Sequence, residues 1–239
     1  MRRSLLGRTG FEVTELCFGA LPMGPNQANI PCEEGARLIR RALENGVNFI
    51  DTAEGYRTYP YIRKALEGFE GEVIIATKSF ANSYEEMEQS IHKAIEELGR
   101  PTIEIFHLHA ARVTAAVFEE RAGALKCLVE YKKRGVIKAV GISTHVVEAV
   151  RAAIERPEID VIFPLINKTG MGIIGGTVED MASAIRDAAR AGKGVYAMKA
   201  LAGGHLIDEL EDAFQFVRNV GGVSSVAVGI VRPEELEVD

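Results

Sequence analysis

Short apolar segments alternate with amphipathic segments along nearly the whole chain. The apolar segments predict eight β-strands, at residues 16–21, 48–53, 73–78, 103–109, 139–144, 161–167, 194–200 and 224–230. They recur at intervals of about 30 residues, which is the length of one strand–helix unit. Residues 73–76 and 161–163 are continuously apolar, and such runs indicate strands that are buried on both faces in a parallel sheet.

The segments between the strands carry helical periodicity and helix-end signals. Ser83, with Glu86 three residues later, forms a capping box, and Gly99 ends the helix that follows. The same pattern predicts helices over residues 33–45 and 178–191. The chain therefore alternates strand and helix throughout.

Eight strand–helix units predict one α/β domain over residues 1–239, with the architecture of a (β/α)8 TIM barrel. An open doubly wound sheet is the alternative, and the count of eight units favours the closed barrel. Two short extended pieces in residues 5–13 predict a β-hairpin that plugs the bottom of the barrel. The predicted eighth helix begins near Pro233, and the sequence ends within it at Asp239. We therefore expect either a longer natural protein or a partner that covers the exposed strand surface.

Composition narrows the possible partners. The chain is 47% hydrophobic and 26% charged, which is typical of globular proteins. Its net charge of −6 argues against nucleic-acid binding, because a phosphate backbone requires a basic face. Cys17, Cys32 and Cys127 fit neither a metal site nor a disulfide framework, so we predict no metal and a reducing, cytoplasmic location. The sequence has neither a signal-peptide pattern nor a run long enough for a membrane span.

Ionisable residues end three consecutive predicted strands. They are Asp51, Lys78 and His109, and Tyr56 lies in the loop after the second strand. In such barrels the active site lies at the carboxyl ends of the strands, so we expect these four side chains to converge. A Lys78 ammonium beside Tyr56 is expected to lower the pKa of the phenol, which is ordinarily about 10. Asp51 is expected to hold Lys78, and His109 to orient a carbonyl oxygen. This set predicts a proton donor beside an oxygen that gains negative charge, with a hydride-carrying cofactor as its complement.

Five segments of the chain resemble the aldo-keto reductase family, in order and over essentially its whole length. They are residues 6–19, 48–56, 75–78, 105–109 and 135–143. The resemblance implies an NAD(P)H-dependent oxidoreductase that reduces small aldehydes or ketones to alcohols. It implies a catalytic tetrad of Asp51, Tyr56, Lys78 and His109, with Tyr56 as the general acid.

The resemblance also implies a nicotinamide cofactor across the strand ends, with NADP(H) favoured over NAD(H). The cofactor-binding residues that it implies are Gly19, Ala20, Ser143, Asn167, Met198, Lys199, Leu201, Gly203, Gly229 and Arg232. Thr144 stands where the family usually has asparagine, Met198 where an aromatic ring is frequent, and Ala20 where threonine is common. Glu235 stands where the family usually has a basic or amide residue, although Arg232 nearby is basic.

Other polar residues receive structural interpretations. His107 lies two residues from His109 and shares its face one layer deeper, so we expect it to be structural. We expect His92 to be exposed on a helix, and His145 and His205 are candidate pocket residues. Residues 170–175 spell G-x-G-x-x-G, but the next strand ends without the acidic residue that a Rossmann fold requires. We interpret them as a loop over the site.

Two other functions remain open on the sequence. One is a non-catalytic barrel that binds the nucleotide as a regulator, since a fold does not fix a function. The other is an aldolase that uses Lys78 as a Schiff base. The complete tetrad favours the reductase over both.

Overall fold

Ten strands lie in residues 1–236, the part of the chain that the computed structural model describes. The strands are β1 (Arg3–Leu5), β2 (Glu12–Thr14), β3 (Leu16–Gly19), β4 (Phe49–Asp51), β5 (Ile74–Ser79), β6 (Ile103–His109), β7 (Ile137–Thr144), β8 (Val161–Pro164), β9 (Gly194–Met198) and β10 (Ser225–Gly229). The helices are α1 (Cys32–Glu44), α2 (Tyr59–Leu66), α3 (Tyr84–Leu98), α4 (Val117–Glu120), α5 (Ala122–Lys133), α6 (Val147–Ile154), α7 (Val178–Arg190) and α8 (Leu210–Val220).

Strands β3 to β10 close into a barrel in which every neighbouring pair is parallel. The predicted TIM barrel is confirmed, and the alternative of an open doubly wound sheet is wrong. Each of the eight predicted barrel strands is present. Strand β8 ends three residues earlier than predicted, at Pro164, because proline has no N–H to continue the ladder.

The register of the barrel brings the strand-end residues together. Asp51 pairs with Ala76, two residues before Lys78, and Lys78 pairs with His107, two residues before His109. A closed barrel requires such a stagger, because its strands are tilted from the barrel axis. The stagger places the ends of β4, β5 and β6 around one opening.

The predicted hairpin is formed by β1 and β2 and closes the opposite end of the barrel. Leu6 and Val13 are fully buried in the same apolar cluster as Cys17 and Phe49 of the barrel strands. Gly7 has a left-handed φ of 55°, and a Cβ at this position would lie 2.3 Å from the backbone nitrogen of Gly194. The hairpin turn is therefore pressed against the start of β9.

The helix-end signals act as predicted. Ser83 and Glu86 form a reciprocal capping box, and Gly99 ends α3 with a φ of 66°. Helices α1 and α7 match their predicted bounds to within one residue. No helix among residues 1–236 is both long and apolar enough to cross a lipid bilayer.

The segment after β10 differs from the prediction. Residues Pro233–Leu236 form a short 3₁₀ turn rather than the start of an α-helix. The remainder of the predicted eighth helix, residues 237–239, lies outside the described residues. Residues 170–175 belong to a loop between β8 and α7, as predicted.

Candidate active site

A buried ion pair lies at the carboxyl ends of β4 and β5. The Lys78 Nζ atom is 2.7 Å and 2.8 Å from the two carboxylate oxygens of Asp51, and 2.7 Å from the carbonyl oxygen of Thr52. The Lys78 and Asp51 side chains are only 1% and 6% exposed. Burial has the largest single effect and lowers the pKa of Lys78, but attraction to Asp51 and Tyr56, together with the hydrogen bond to Asp51, raises the net pKa. Lys78 is therefore an ammonium ion whose three N–H groups all have acceptors.

Tyr56 lies beside this pair in a short 3₁₀ turn, Glu54–Tyr56. Its ring centre is 5.0 Å from the Lys78 Nζ atom. Burial raises the pKa of Tyr56 above its ordinary value of 10.0, and this effect exceeds the lowering by Lys78. The expectation of a lowered pKa is therefore wrong in its net direction, because it included the charge but not the loss of water. Tyr56 is a protonated phenol at neutral pH.

His109 ends β6 and faces Tyr56, with 6.2 Å between their ring centres in an edge-on arrangement. It is 8% exposed. Burial, followed by the charge of Lys78, lowers the pKa of His109 to about 2. The imidazole is therefore neutral and has one N–H to donate, which suits a residue that orients a carbonyl oxygen.

Tyr196 of β9 is a site residue that the sequence analysis missed. Its hydroxyl lies 2.9 Å from the Oδ2 atom of Asp51 and 2.8 Å from the Nε2 atom of His107. Tyr196 and His107 are both fully buried, one layer below the tetrad, as the spacing predicted for His107. Tyr196 is two residues from Met198 and therefore on the same face of β9, which is the signal that could have found it.

A cavity of about 330 Å³ opens beside the ion pair. Asp51 and Tyr56 line it, together with six of the predicted cofactor-binding residues: Gly19, Met198, Lys199, Leu201, Gly203 and Gly229. The cavity lining does not include the other predicted site residues, which are Lys78, His109, Ala20, Ser143, Asn167 and Arg232. The structure thus gathers the residues predicted on β3, β4, β9 and β10 around one cavity.

The cavity wall at residues 199–204 has an unusual backbone. Lys199 and Ala202 have left-handed φ values of 59° and 49°, and Gly203 and Gly204 also have positive φ. Left-handed residues in a turn direct successive backbone N–H groups toward one point, which creates a concave site for an anion. The N–H groups of Ala202 and Gly204 donate within the turn, to the carbonyl oxygens of Lys199 and Leu201, so a phosphate group here would use the other N–H groups of the turn.

Asn167 is arranged differently from its predicted role. Its Nδ2 atom donates to the carbonyl oxygen of Met171, 3.0 Å away. Its Oδ1 atom accepts from the Thr169 hydroxyl at 2.8 Å and from the Met171 N–H at 3.1 Å. The amide thus organises the loop after β8, and a cofactor would have to share or replace these bonds.

Most of the described residues after β10 are exposed. Arg232 is exposed, and the Glu235 carboxylate accepts from the backbone N–H groups of Val231 and Arg232, at 2.7 Å and 3.1 Å. Glu235 therefore caps its own turn.

The remaining histidines lie outside the cavity lining. His145 follows β7, and burial, together with the charge of Lys199, lowers its pKa to about 4. His205 is exposed and, like His145, does not line the cavity. His92 is exposed on α3 as predicted, and its ring bonds the Tyr131 hydroxyl at 2.9 Å. No group of three or more potential metal ligands occurs in residues 1–236.

Comparisons with known proteins agree on one family. A family model described as the aldo/keto reductase family matches residues 15–221. L-galactose dehydrogenase of Arabidopsis thaliana is 24% identical over 216 residues, which cover 85% of this chain and 66% of that protein. Pyridoxal 4-dehydrogenase of Microbacterium luteolum is 24% identical, with 97% of this chain and 90% of that protein covered. The chain thus spans slightly less than two thirds of the first of these relatives.

A solved structure gives the same assignment. A Pseudomonas aeruginosa chain assigned to the aldo-keto reductases superposes with a TM-score of 0.83 and is 27% identical. The superposition covers 98% of this chain and 90% of the Pseudomonas chain. The similarity thus includes the barrel and the strand ends that carry the candidate site.

Proposed function

The chain belongs to the aldo/keto reductase family, and from this we propose that it catalyses the reversible, NAD(P)H-dependent reduction of an aldehyde or ketone to an alcohol. One observation carries the proposal. The Lys78–Asp51 ion pair lies against Tyr56, which in turn faces a neutral His109, all beside a cavity at the barrel mouth. The names of the relatives, two dehydrogenases, support oxidoreductase chemistry in general.

Each residue of the tetrad has a role that follows from its protonation state. Tyr56 is protonated and donates its phenolic proton to the substrate oxygen as that oxygen gains negative charge. The Lys78 ammonium, fixed by Asp51, stabilises the phenolate that remains. Neutral His109 donates a hydrogen bond to the same oxygen and so orients the carbonyl. A reduced nicotinamide held beside Gly19, Met198 and Gly229 would supply a hydride for the carbonyl carbon, which would balance the proton that Tyr56 gives to the oxygen.

The residues around the cavity fit a nicotinamide dinucleotide. The turn at 199–204 suits the pyrophosphate, because barrels of this type often bind phosphate after their seventh barrel strand. Gly19, Met198 and Gly229 leave an open, largely apolar wall for the nicotinamide end. The resemblance implies Ser143 and Asn167 for the carboxamide and Arg232 for the 2′-phosphate, and all three lie outside the cavity lining.

We favour NADP(H) over NAD(H). Arg232 is an exposed cation after β10, close in sequence to Gly229 of the cavity wall. The Glu235 carboxylate is held by the backbone N–H groups of Val231 and Arg232, and not by the Arg232 guanidinium. A guanidinium is well suited to such a phosphate because it is always charged and can donate two parallel hydrogen bonds.

The two competing functions differ in what they require. An aldolase needs a neutral lysine amine as nucleophile, whereas the Lys78 ammonium is protonated and engaged by Asp51 and Thr52. A regulatory barrel needs only nucleotide binding. The juxtaposition of Tyr56, Lys78 and His109 favours catalysis over binding alone.

The test is to titrate the protein with NADPH and NADH by fluorescence, and then to assay aldehydes and ketones with the tighter cofactor. Tyr56→Phe is expected to bind that cofactor like the wild type and to lose turnover. Tyr84→Phe, which removes a hydroxyl that bonds Glu130 far from the cavity, is the matched control. Cofactor binding without turnover of any carbonyl would favour the regulatory barrel.

A further inference from the structure

Tyr196 is held rigidly below the ion pair. Its ring stacks on Phe163 with 3.9 Å between ring centres and an interplanar angle of 11°. Phe49 contacts the same ring from another side, with centres 4.8 Å apart. This packing fixes the phenol, so its hydroxyl is confined to the point between Asp51 and His107.

The hydrogen bonds around this hydroxyl have a definite direction. Burial raises the pKa of Asp51, while the Lys78 ammonium at 2.7 Å and 2.8 Å favours its ionised form. An ionised carboxylate can only accept, so the Tyr196 O–H donates to the Oδ2 atom. The oxygen of Tyr196 then accepts from His107, whose Nε2 atom must carry the ring proton. The result is a buried chain that runs from His107 through Tyr196 to Asp51 and Lys78.

The surroundings of His107 agree with this direction. Its Nδ1 atom is buried and has no hydrogen-bond partner within residues 1–236. That atom faces Gly141 of β7, where a Cβ would lie only 2.2 Å from it. If Nδ1 carries no proton, the atom left without a partner is an acceptor and not an N–H donor. Burial also keeps the pKa of His107 far below its ordinary value. His107 is therefore a neutral imidazole that acts as a donor through Nε2 alone.

We propose that Tyr196 is a positioning residue for the reaction, which fixes the Asp51 carboxylate from the barrel interior and thereby sets how strongly Lys78 favours the Tyr56 phenolate. The proposal rests on the reductase function proposed above. The Tyr196 hydroxyl is a third hydrogen-bond contact of the Asp51 carboxylate, beside the two made by Lys78. It spreads the negative charge of Asp51, so that Asp51 offsets less of the positive charge of Lys78. The positive charge of Lys78 then stabilises the Tyr56 phenolate more strongly.

Few other groups can account for a change in the titration of Tyr56. The titratable side chains near Asp51 and Tyr56 are Lys78 of β5, His107 and His109 of β6, Tyr196 of β9 and Cys17 of β3, and Lys199 after β9 lines the same cavity. Burial lowers the pKa of both imidazoles and raises the pKa of the Cys17 thiol, so all three stay neutral at neutral pH. Removal of the Tyr196 hydroxyl therefore acts on Asp51, Lys78 and Tyr56.

The decisive variant is Tyr196→Phe, assayed with bound cofactor as kcat/KM for alcohol oxidation across pH. Oxidation needs the Tyr56 phenolate as proton acceptor, so its rate rises as pH approaches the pKa of Tyr56. We expect this rising limb to move up by about half to one pH unit, which is a loss of about three- to tenfold at a fixed pH below the pKa of Tyr56. An unshifted limb in a folded Tyr196→Phe protein would overturn the proposal.

Tyr59→Phe is the matched control. Tyr59 is also a fully buried tyrosine, and its hydroxyl bonds Thr77 at 2.7 Å rather than Asp51. Its loss removes a buried hydroxyl and a hydrogen bond without altering the chain through Tyr196. If the rising limb shifts as far in Tyr59→Phe as in Tyr196→Phe, the effect is a general structural one, and the proposal is overturned.

His107 supplies a second pair of variants, which remain informative if Tyr196→Phe fails to fold. His107→Leu removes the donor to Tyr196, whereas His107→Gln keeps an N–H near the position of Nε2. We expect the limb to shift upward in His107→Leu and to return toward the wild type in His107→Gln. Equal profiles in both variants and the wild type would contradict the proposal.

A readout without turnover separates this proposal from the reductase function. In ¹⁵N-histidine-labelled protein, we expect the His107 signals to show a neutral Nε2–H tautomer between about pH 5 and pH 8. Tyr196→Phe should move the Nε2 signal, and Tyr59→Phe should not. If no carbonyl is turned over, the proposed function fails while this spectrum still supports or refutes the hydrogen-bonded chain.

Discussion

The ring of Phe80 lies flat against the ring of His109, with 3.9 Å between their centres and only 16° between their planes. Phe80 follows β5 directly and is 54% exposed, so one face covers the imidazole while the other meets solvent. This contact keeps water from one side of His109. It also limits the positions that the imidazole can adopt beside Tyr56.

Phe80→Ala should therefore loosen and rehydrate His109. Because burial is the largest cause of its low pKa, we expect the pKa of His109 to rise from about 2 toward its ordinary value, as measured by NMR titration. A less fixed imidazole should also lower kcat by about tenfold. Phe80→Leu keeps apolar cover and should give smaller changes in both quantities. An unchanged His109 titration in Phe80→Ala would refute this role.

The raised pKa of Tyr56 sets the pH dependence of the two directions. Reduction requires the protonated phenol, so its rate should persist through neutral and mildly basic pH and fall only above 10.0. Oxidation requires the phenolate, so its rate should still be rising at that pH. Steady-state kcat/KM measured across pH in both directions would check this. A reduction limb at neutral pH would contradict the raised pKa.

The Lys78–Asp51 pair should be costly to break and much less costly to replace as a unit. Lys78→Met leaves a buried carboxylate without its partner and should lower the free energy of unfolding by about 3–5 kcal/mol. Asp51→Leu leaves the opposite charge and should cost a similar amount. The double variant should be clearly more stable than the sum of the two losses, as measured by urea unfolding. Additive losses would mean that the pair is not coupled.

A side chain at Gly7 should destabilise the protein through a steric clash with Gly194, in addition to the strain of a left-handed backbone. Gly7→Ala places a Cβ 2.3 Å from the Gly194 nitrogen and should cost about 2–4 kcal/mol in the free energy of unfolding. Gly68→Ala is the matched control, since Gly68 has a similar φ of 66° with nothing within 4 Å of the Cβ. It should cost about 1 kcal/mol from conformational strain alone. Equal losses in the two variants would argue against a tight hairpin seal.

Arg232 should contribute to the choice of cofactor. Arg232→Ala should weaken NADPH binding by about tenfold through loss of a charge-assisted contact with the 2′-phosphate, and NADH binding much less. Fluorescence titration with both cofactors measures the difference directly. Arg218→Ala, which removes an arginine near the end of α8, is the control. Equal weakening of both cofactors would place Arg232 away from the 2′-phosphate.

Local patterns predicted most of the architecture. Strand positions follow from apolar runs, and the α3 cap follows from Ser83 and Glu86, because both depend on neighbours within a few residues. The strand ends also predicted the convergence of Asp51, Lys78 and His109, because parallel barrels gather the carboxyl ends of their strands. These properties depend on spacing along the chain, which the sequence displays directly.

Features that depend on distant packing could not be predicted in this way. Tyr196 reaches Asp51 across 145 positions in sequence, and only the closed barrel brings them together. The direction of the Tyr56 pKa depends on how much water is lost around the phenol. The amide of Asn167 occupies a suitable position in the sequence, but the structure engages it in its own loop.

The left-handed turn at 199–204 lowers the stability of the folded protein before any ligand binds. Lys199 and Ala202 adopt a backbone conformation that side-chain-bearing residues avoid, at about 1 kcal/mol or more each. The rest of β9 and its loop must hold them there, so ligand binding need not create the concave backbone. The folded chain is therefore less stable than it would be with a relaxed turn, and the lost stability is exchanged for a backbone that is preorganised for its ligand.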